Sequence, residues 1–335
     1  MNRKKHKTII AMILGVLLTY IFSGCSKDVS AGKFVALDST NKIAIYSEDG
    51  INWDKSDRLP TADSWNCICY GNGRYIAIGY DIGNNSIVVY SPDGNKWTPI
   101  TIDGTPGDVF SFKLVSVCYG NGKFVAVSEG EKVAYSTDGV NWKTNDFPSG
   151  IWKSICYGNG KFVAVDSGGK VAYSNNGINW DKKILLQNYS STKWRSVCYG
   201  KGRFVAVAGE MSGYKYTAYS TNGIDWEEST TLNNDLNLFG VCYGDGKFVA
   251  VDGNINKAVY SYDGIKWDET SLPNIFWNSV CYGDGKFIAV SASEIIAYST
   301  DGITWAEVNI SIPDVTGISL FSITYGLDDD IFGFL

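Results

Sequence analysis

Few side chains in this sequence have chemistry to offer. Asp166 and Asp252 recur at one position of a repeated segment, and Glu129, Glu131 and Glu210 fall near that position in other copies. Two carboxylates facing across a cleft can serve as acid and base in glycosidic cleavage, so these are the candidates for catalysis, with solvated loop carboxylates as the alternative. The only histidine is His6, in an N-terminal stretch expected to be removed. Without imidazole the rest of the chain cannot build a Ser-His-Asp triad, a histidine-ligated zinc site or an imidazole acid–base pair. No residue is assigned a catalytic role.

Cysteine adds little. Cys69, Cys118, Cys156, Cys198, Cys242 and Cys281 share one repeat position, and Cys67 is extra. Equivalent positions in successive repeats should stand farther apart than the roughly 4.4–6.8 Å Cα separation of a disulfide. They read as compact buried packing residues, and neither a metal nor a cofactor is expected. Aromatic residues are more informative. Of eleven tryptophans, four lie outside the main repeat phrase: Trp65, Trp152, Trp194 and Trp277. They share a position that Leu114, Leu238 and Leu320 fill elsewhere. Exposed indoles there could stack on sugars or grip apolar side chains, but free substitution by leucine favours filling between repeats. Tyr214 and Tyr216 flank Lys215 beside Glu210 and Met211, a composition suited to an adaptable surface. The binding candidates are therefore these four tryptophans, Arg195, Tyr214, Tyr216, Asp166 and Asp252.

The elements that must position these residues are repeats. Tyr-Ser-x-Asp/Asn-Gly-x-x-Trp occurs seven times, at 46–53, 90–97, 135–142, 173–180, 219–226, 260–267 and 298–305. A second phrase, Val/Ile-Cys-Tyr-Gly-x-Gly-Lys/Arg-Phe/Tyr-Val/Ile-Ala-Val/Ile, precedes copies two to seven. Units of about forty residues with such phrases indicate an all-β propeller. In one unit, strands are expected at 152–157, 162–165, 170–174 and from 178 onward, joined by Gly-Asn-Gly and Asn-Gly turns, which makes a four-stranded antiparallel blade. Residues 33–37 match a second strand with no first strand before it, while 320–326 match a first strand. A C-terminal strand should then complete the N-terminal blade and close a seven-bladed ring. Residues 331–335 also read as a second strand, leaving an eight-bladed or truncated ring as the alternative.

The Ser-x-Asp-Gly-x-x-Trp turn resembles the Asp-box, or BNR repeat, of the sialidase-like propellers, with one residue fewer between Asp and Gly. The resemblance implies that Asp49, Asp93, Asp138, Asn176, Asn222, Asp263 and Asp301 cap hairpin amides, remote from any active site. Asparagine in two blades fits this role, because an amide accepts hydrogen bonds but is neither acid nor base. Sialidases also bind substrate with three arginines. Beyond the first 24 residues the chain has Arg58, Arg74, Arg195 and Arg203, and Arg74 and Arg203 fall on the Asp-box side, so the triad cannot be assembled.

The N-terminus resembles a bacterial lipoprotein signal: four positive charges within 2–7, fifteen apolar residues at 8–22, then Ser23-Gly24-Cys25. The apolar run is short for a membrane span. The resemblance implies cleavage before Cys25 and a lipid on its sulfur, dividing the chain into a signal (1–24), a lipidated tether (25–30) and one propeller domain (31–335). Loss of four positive charges and no acid would take the net charge from −6 to −10, which argues against nucleic acid as a partner. The five residues after Cys25 span at most about 18 Å, so the propeller should lie close to the membrane.

With the usual strand order, the uniform Tyr-Gly-x-Gly and Asp-Gly turns share one face. Length variation, largest at 54–64, 98–113, 181–193 and 208–215, then falls on the opposite, upper face, where recognition is expected. The expected function is a membrane-anchored, extracytoplasmic, non-catalytic module binding a glycan or a protein. The alternatives are a glycan-active hydrolase and an assembly scaffold for a membrane protein, by analogy with lipidated propellers that help build photosystem II.

Overall fold

The Gly-x-Gly turns fix the blades locally. Asn159 and Gly160 both have positive φ, 46° and 73°, the geometry of a two-residue turn whose twist matches its flanking strands. It joins Trp152–Gly158 to Lys161–Asp166. Lys170–Ser174 and Asp181–Ile184 complete an antiparallel four-stranded sheet. Its second strand is buried except at Lys161. This explains the unbroken apolar run Phe162–Val165, since a strand covered on both faces has no reason to alternate.

The computed structural model describes residues 32–327, apart from 103, 187–191, 210–216, 230–235, 255 and 274. Seven such sheets form a seven-bladed propeller, with no helix among the described residues. The first blade is built from both ends of the chain, in the order Leu320–Gly326, Lys33–Asp38, Ile43–Ser47, Asp54–Arg58 from the centre outward. Phe34 lies opposite Tyr325 and Val35 opposite Thr324. Lys33–Asp38 thus takes the second-strand place; residues 331–335 lie outside the described residues.

Two expected upper loops begin as outer strands, Asp54–Arg58 and Asp181–Ile184. A third, 98–113, departs further. After Thr98–Pro99 closes the second blade, Thr101–Ile102 runs parallel to the third blade's outer strand, Asn141–Asp146, and Thr105–Pro106 folds back on it. This small hairpin covers one outer edge. Several other outer edges carry charge instead, as in Asp54–Arg58 and Asp268–Ser271.

The core is seven separate clusters, each spanning adjacent blades. At the lower rim each Tyr-Gly turn lies beneath the tyrosine of the next blade. A Cβ on Gly158 would overlap the Tyr199 ring, one on Gly283 the Tyr325 ring, and one on Gly326 the Tyr70 ring, so the contact continues through the closing blade.

Candidate functional site

Asp166 and Asp252 each end the second strand of a blade, opposite the residue that opens the innermost strand: Trp152 and Leu238. Both are buried. Asp166 Oδ1 accepts backbone N–H groups of Gly168 and Lys170, while Asp252 accepts those of Asn254 and Asn237. Asp38, which sequence reasoning leaves out, occupies the same position and accepts N–H groups of Thr40 at 2.9 Å and Ser319 at 3.1 Å. The match between Lys33–Asp38 and Lys161–Asp166 is the signal that finds it. The three carboxylates order the turn after the second strand, and Asp38 and Asp252 also strap it to the chain entering the innermost strand. Burial pushes the Asp166 carboxyl up despite its backbone donors. Neither Asp166 nor Asp252 exposes its carboxylate to a ligand. Glu129 is an inter-blade ion pair instead: Lys153 Nζ lies 2.6 Å and Lys113 Nζ 3.5 Å from its oxygens.

Trp65, Trp152, Trp194 and Trp277 are fully buried, which contradicts their candidacy as exposed binding indoles around the mouth. Each belongs to a different inter-blade cluster, and Leu114, Leu238 and Leu320 fill the other three. The ring needs an apolar plug at the upper end of every interface, and either residue type supplies it. Trp152 Nε1 donates to Pro148 O and Trp277 Nε1 to Pro273 O, so two of the indoles also order the chain just ahead of them. Cys25, Tyr214, Tyr216 and Glu210 lie outside the described residues.

The turn residues behave as caps. Asp138 Oδ1 accepts N–H groups of Val140 and Asn141, both at 2.8 Å, and Ser136 Oγ accepts that of Gly139. Asn176 and Asn222 repeat the pattern through their amide oxygens, as do Asp49, Asp93, Asp263 and Asp301. Partial burial alone would raise the Asp138 carboxyl, but hydrogen bonds from Asn141 and Val140 outweigh it and hold the carboxyl at about 2. Arg74 and Arg203 donate to the carbonyls of Asp138 and Asp263 on this lower face.

Cys67 also has a structural place. Ser322, Ser116, Ser154 and Ser196 accept a backbone N–H from the next blade's innermost strand. Cys67 occupies that register, opposite Ile78 as Ser116 is opposite Val127. Burial pushes the thiols of Cys69, Cys118, Cys198 and Cys281 well up, so at neutral pH they are thiols and not nucleophilic thiolates.

What remains for recognition is the upper rim. Just after the plug, each innermost strand is bulged by one residue. The bulged residues are Asn66, Val115, Lys153, Arg195, Phe239, Asn278 and Phe321. Five residue types, polar, cationic, aliphatic and aromatic, fill these seven positions, and this is the signal sequence reasoning missed: one unrestricted position inside a strict phrase. The guanidinium carbon of Arg195 lies 4.1 Å from the Phe239 ring centroid in the next blade. Phe321 is 43% exposed, Phe276 in the adjacent seventh blade is 61% exposed, and Ile151 on the fourth blade is 56% exposed. Between the seventh and first blades a cavity of about 630 Å³ is lined by Ile275, Ile295, Ile318, Glu294 and Asn309 among others. The rim thus has a basic sector, in which Lys113 and Lys153 share Glu129 and Lys193 and Arg195 follow in the next blade, and an apolar sector, with Phe239, Phe276 and Phe321.

No family model and no curated protein matches the sequence. The fold is shared with solved structures at low identity. A streptogramin B lyase structure has a TM-score of 0.65 at 12% identity, covering 78% of this chain and 86% of that one. A catalytically inactive histidine-to-alanine variant of virginiamycin B lyase from Staphylococcus aureus, with quinupristin, has a TM-score of 0.62 at 10% identity, over 85% and 97%. YCF48 bound to a D1 peptide has a TM-score of 0.56 at 19% identity, over 74% and 83%. These likenesses show the β-propeller alone.

Proposed function

We propose that this protein is a membrane-anchored, extracytoplasmic, non-catalytic propeller that binds a protein partner at its upper rim. The observation that carries the reading is the rim's exposed chemistry: Phe276 and Phe321 stand in solvent in adjacent blades, and Ile151 stands in solvent on the fourth blade among the basic side chains, on a chain of net negative charge. Exposed apolar side chains grouped with cations suit a polypeptide carrying apolar and acidic residues. The four indoles, the rings best suited to stacking on a sugar, are buried, and the exposed rim aromatics are phenylalanines, which carry no polar handle for sugar hydroxyls. YCF48, a propeller of the same architecture, binds a peptide, which supports the choice of a protein over a sugar.

Hydrolase chemistry loses support because Asp166 and Asp252 are buried and each holds backbone amides of its own turn. Lyase chemistry of the kind in the structural neighbours loses support as well. The virginiamycin B lyase variant without one histidine is inactive, and the only histidine in this sequence, His6, lies outside the described residues. The likeness of the turns to the Asp-box is carried by their capping geometry and belongs to the scaffold.

The test is affinity capture from solubilised envelopes, alongside a glycan array, using the fragment from Ser26, a Phe276→Ser/Phe321→Ser double variant and a lower-face Thr221→Ser control. A specific protein retained by the wild type and control but lost with the double variant is the expected result. Glycan binding unaffected by the double variant would overturn the reading.

A further inference from the structure

We infer that the lower face, the one built from the uniform turns, is held against a lipid surface, and that the upper rim points away from it. This rests on the lipidation of Cys25 proposed above; what it adds is an orientation, and the argument begins where the chain joins the ring. Gly32 lies at the lower end of the first blade, packed against Gly326 O and the Tyr325 hydroxyl. Lys33 then starts the second strand upward. Seven Cα-to-Cα steps join Cys25 to Gly32, a chain that reaches at most about 25 Å when fully extended.

That length decides between orientations. A seven-residue innermost strand such as Trp152–Gly158 is about 23 Å long. To lay the upper rim on a membrane, the tether would have to climb the whole blade and also pass around or through the disc, which exceeds its reach. The outer edge of the first blade is closer, only two strand spacings or roughly 10 Å away, so reach alone permits an edge-on pose. The exposed side chains oppose it. That edge presents four charged residues, Asp54, Lys55, Asp57 and Arg58, with Ser56 turned inward, and offers no large apolar side chain to the headgroup boundary. On the lower face every blade starts its second strand with Lys or Arg, among them Lys123, Lys161 and Lys286, interspersed with ionised turn carboxylates, so apolar side chains and not net charge set that face apart. Exposed Ile51, Tyr262 and Leu327 stand on the lower side and suit the headgroup boundary. The uniform short turns leave that side without long loops to hold it off.

The experiment uses the full-length lipidated protein in phosphatidylethanolamine–phosphatidylglycerol vesicles containing a brominated quencher lipid. A fluorophore is placed on one introduced cysteine at a time: Thr221→Cys on the lower face in the fifth blade, far from the tether; Glu307→Cys on an outer edge; Glu131→Cys on the upper rim. The expected result is loss of fluorescence at position 221 with little loss at 307 and 131. Stronger quenching at 307 or 131 than at 221, or equal quenching at all three on protein that floats with the vesicles, overturns the orientation. A protein that does not float with vesicles, or whose flotation survives Cys25→Ala, sinks the anchoring reading itself, and the orientation falls with it.

Discussion

On the lower face, Gly158 sits beneath Tyr199, and the same pairing joins Gly120 to Tyr157, Gly200 to Tyr243 and Gly244 to Tyr282. At the opposite end of the same strands, the residue beside the plug is a lysine, an arginine, a phenylalanine, a valine or an asparagine, depending on the blade. Both sets belong to innermost strands of the same sheets, so the backbone does not explain the difference. The lower positions are fixed because each is half of a contact between blades, and a change in one blade clashes with the next. The bulged upper positions have slipped out of register with their neighbouring strand and project beyond the plug, where a substitution disturbs little. Uniformity here marks interlocking, and variety marks freedom to bind.

The sharpest way to break this comparison is at the plug itself. Trp194→Ala empties the upper end of the interface between the fourth and fifth blades and should cost about 3–5 kcal/mol in denaturant unfolding, the range for large aromatic deletions in cores. Trp194→Leu should cost far less, since leucine plugs three of the seven interfaces. A Trp194→Ala protein of wild-type stability that had lost a ligand would return the indole to the surface and undo the division between faces. Next in size is Gly158→Ala, which forces a Cβ into the Tyr199 ring; about 1–3 kcal/mol is expected from overpacking. The matching upper-rim change, Lys153→Ala, should cost roughly 1 kcal/mol or less, because it removes only a partly exposed ion pair with Glu129.

This contrast also explains what could be read in the sequence. The seven blades, their strand order and the closing strand follow from periodicity, because each repeat must satisfy its own hydrogen bonds and bury both faces. The capping role of Asp138 and its equivalents was legible for a similar reason: Asn176 and Asn222 show that charge is dispensable there. The tryptophans were legible in part: leucine at the same position in three blades already pointed to a plug, but an aromatic at a strand end also suits a platform, and the neighbouring blade decides between them. Asp166 and Asp252 invited a catalytic reading because their backbone partners, Gly168 and Asn254, follow them in a turn whose fold the sequence does not spell out. The hairpin of 101–106 went unseen because its partner strand, Asn141–Asp146, comes a full blade later.

The smallest expected effect tests the caps. Asp138→Asn should be nearly neutral at pH 7, since an asparagine oxygen accepts the same two N–H groups in two other blades. The acid side is where the two should part. The Asp138 carboxyl is held at about 2, below its ordinary 3.8, so its ionised form stabilises the fold above the ordinary value. That contribution is lost as pH falls from about 4 toward about 2. Asparagine cannot protonate in this range and keeps its hydrogen bonds. The stability of the wild type relative to Asp138→Asn should therefore decline over that window, measured by urea unfolding at a series of pH values. Because Asp138 is partly exposed, the decline should be modest and smaller at high salt. Parallel pH profiles for the two proteins would mean that the carboxylate gains nothing from the turn's amides beyond what a neutral oxygen gains. The five aspartates and two asparagines would then be interchangeable at any pH, and the lower face would be held by shape alone.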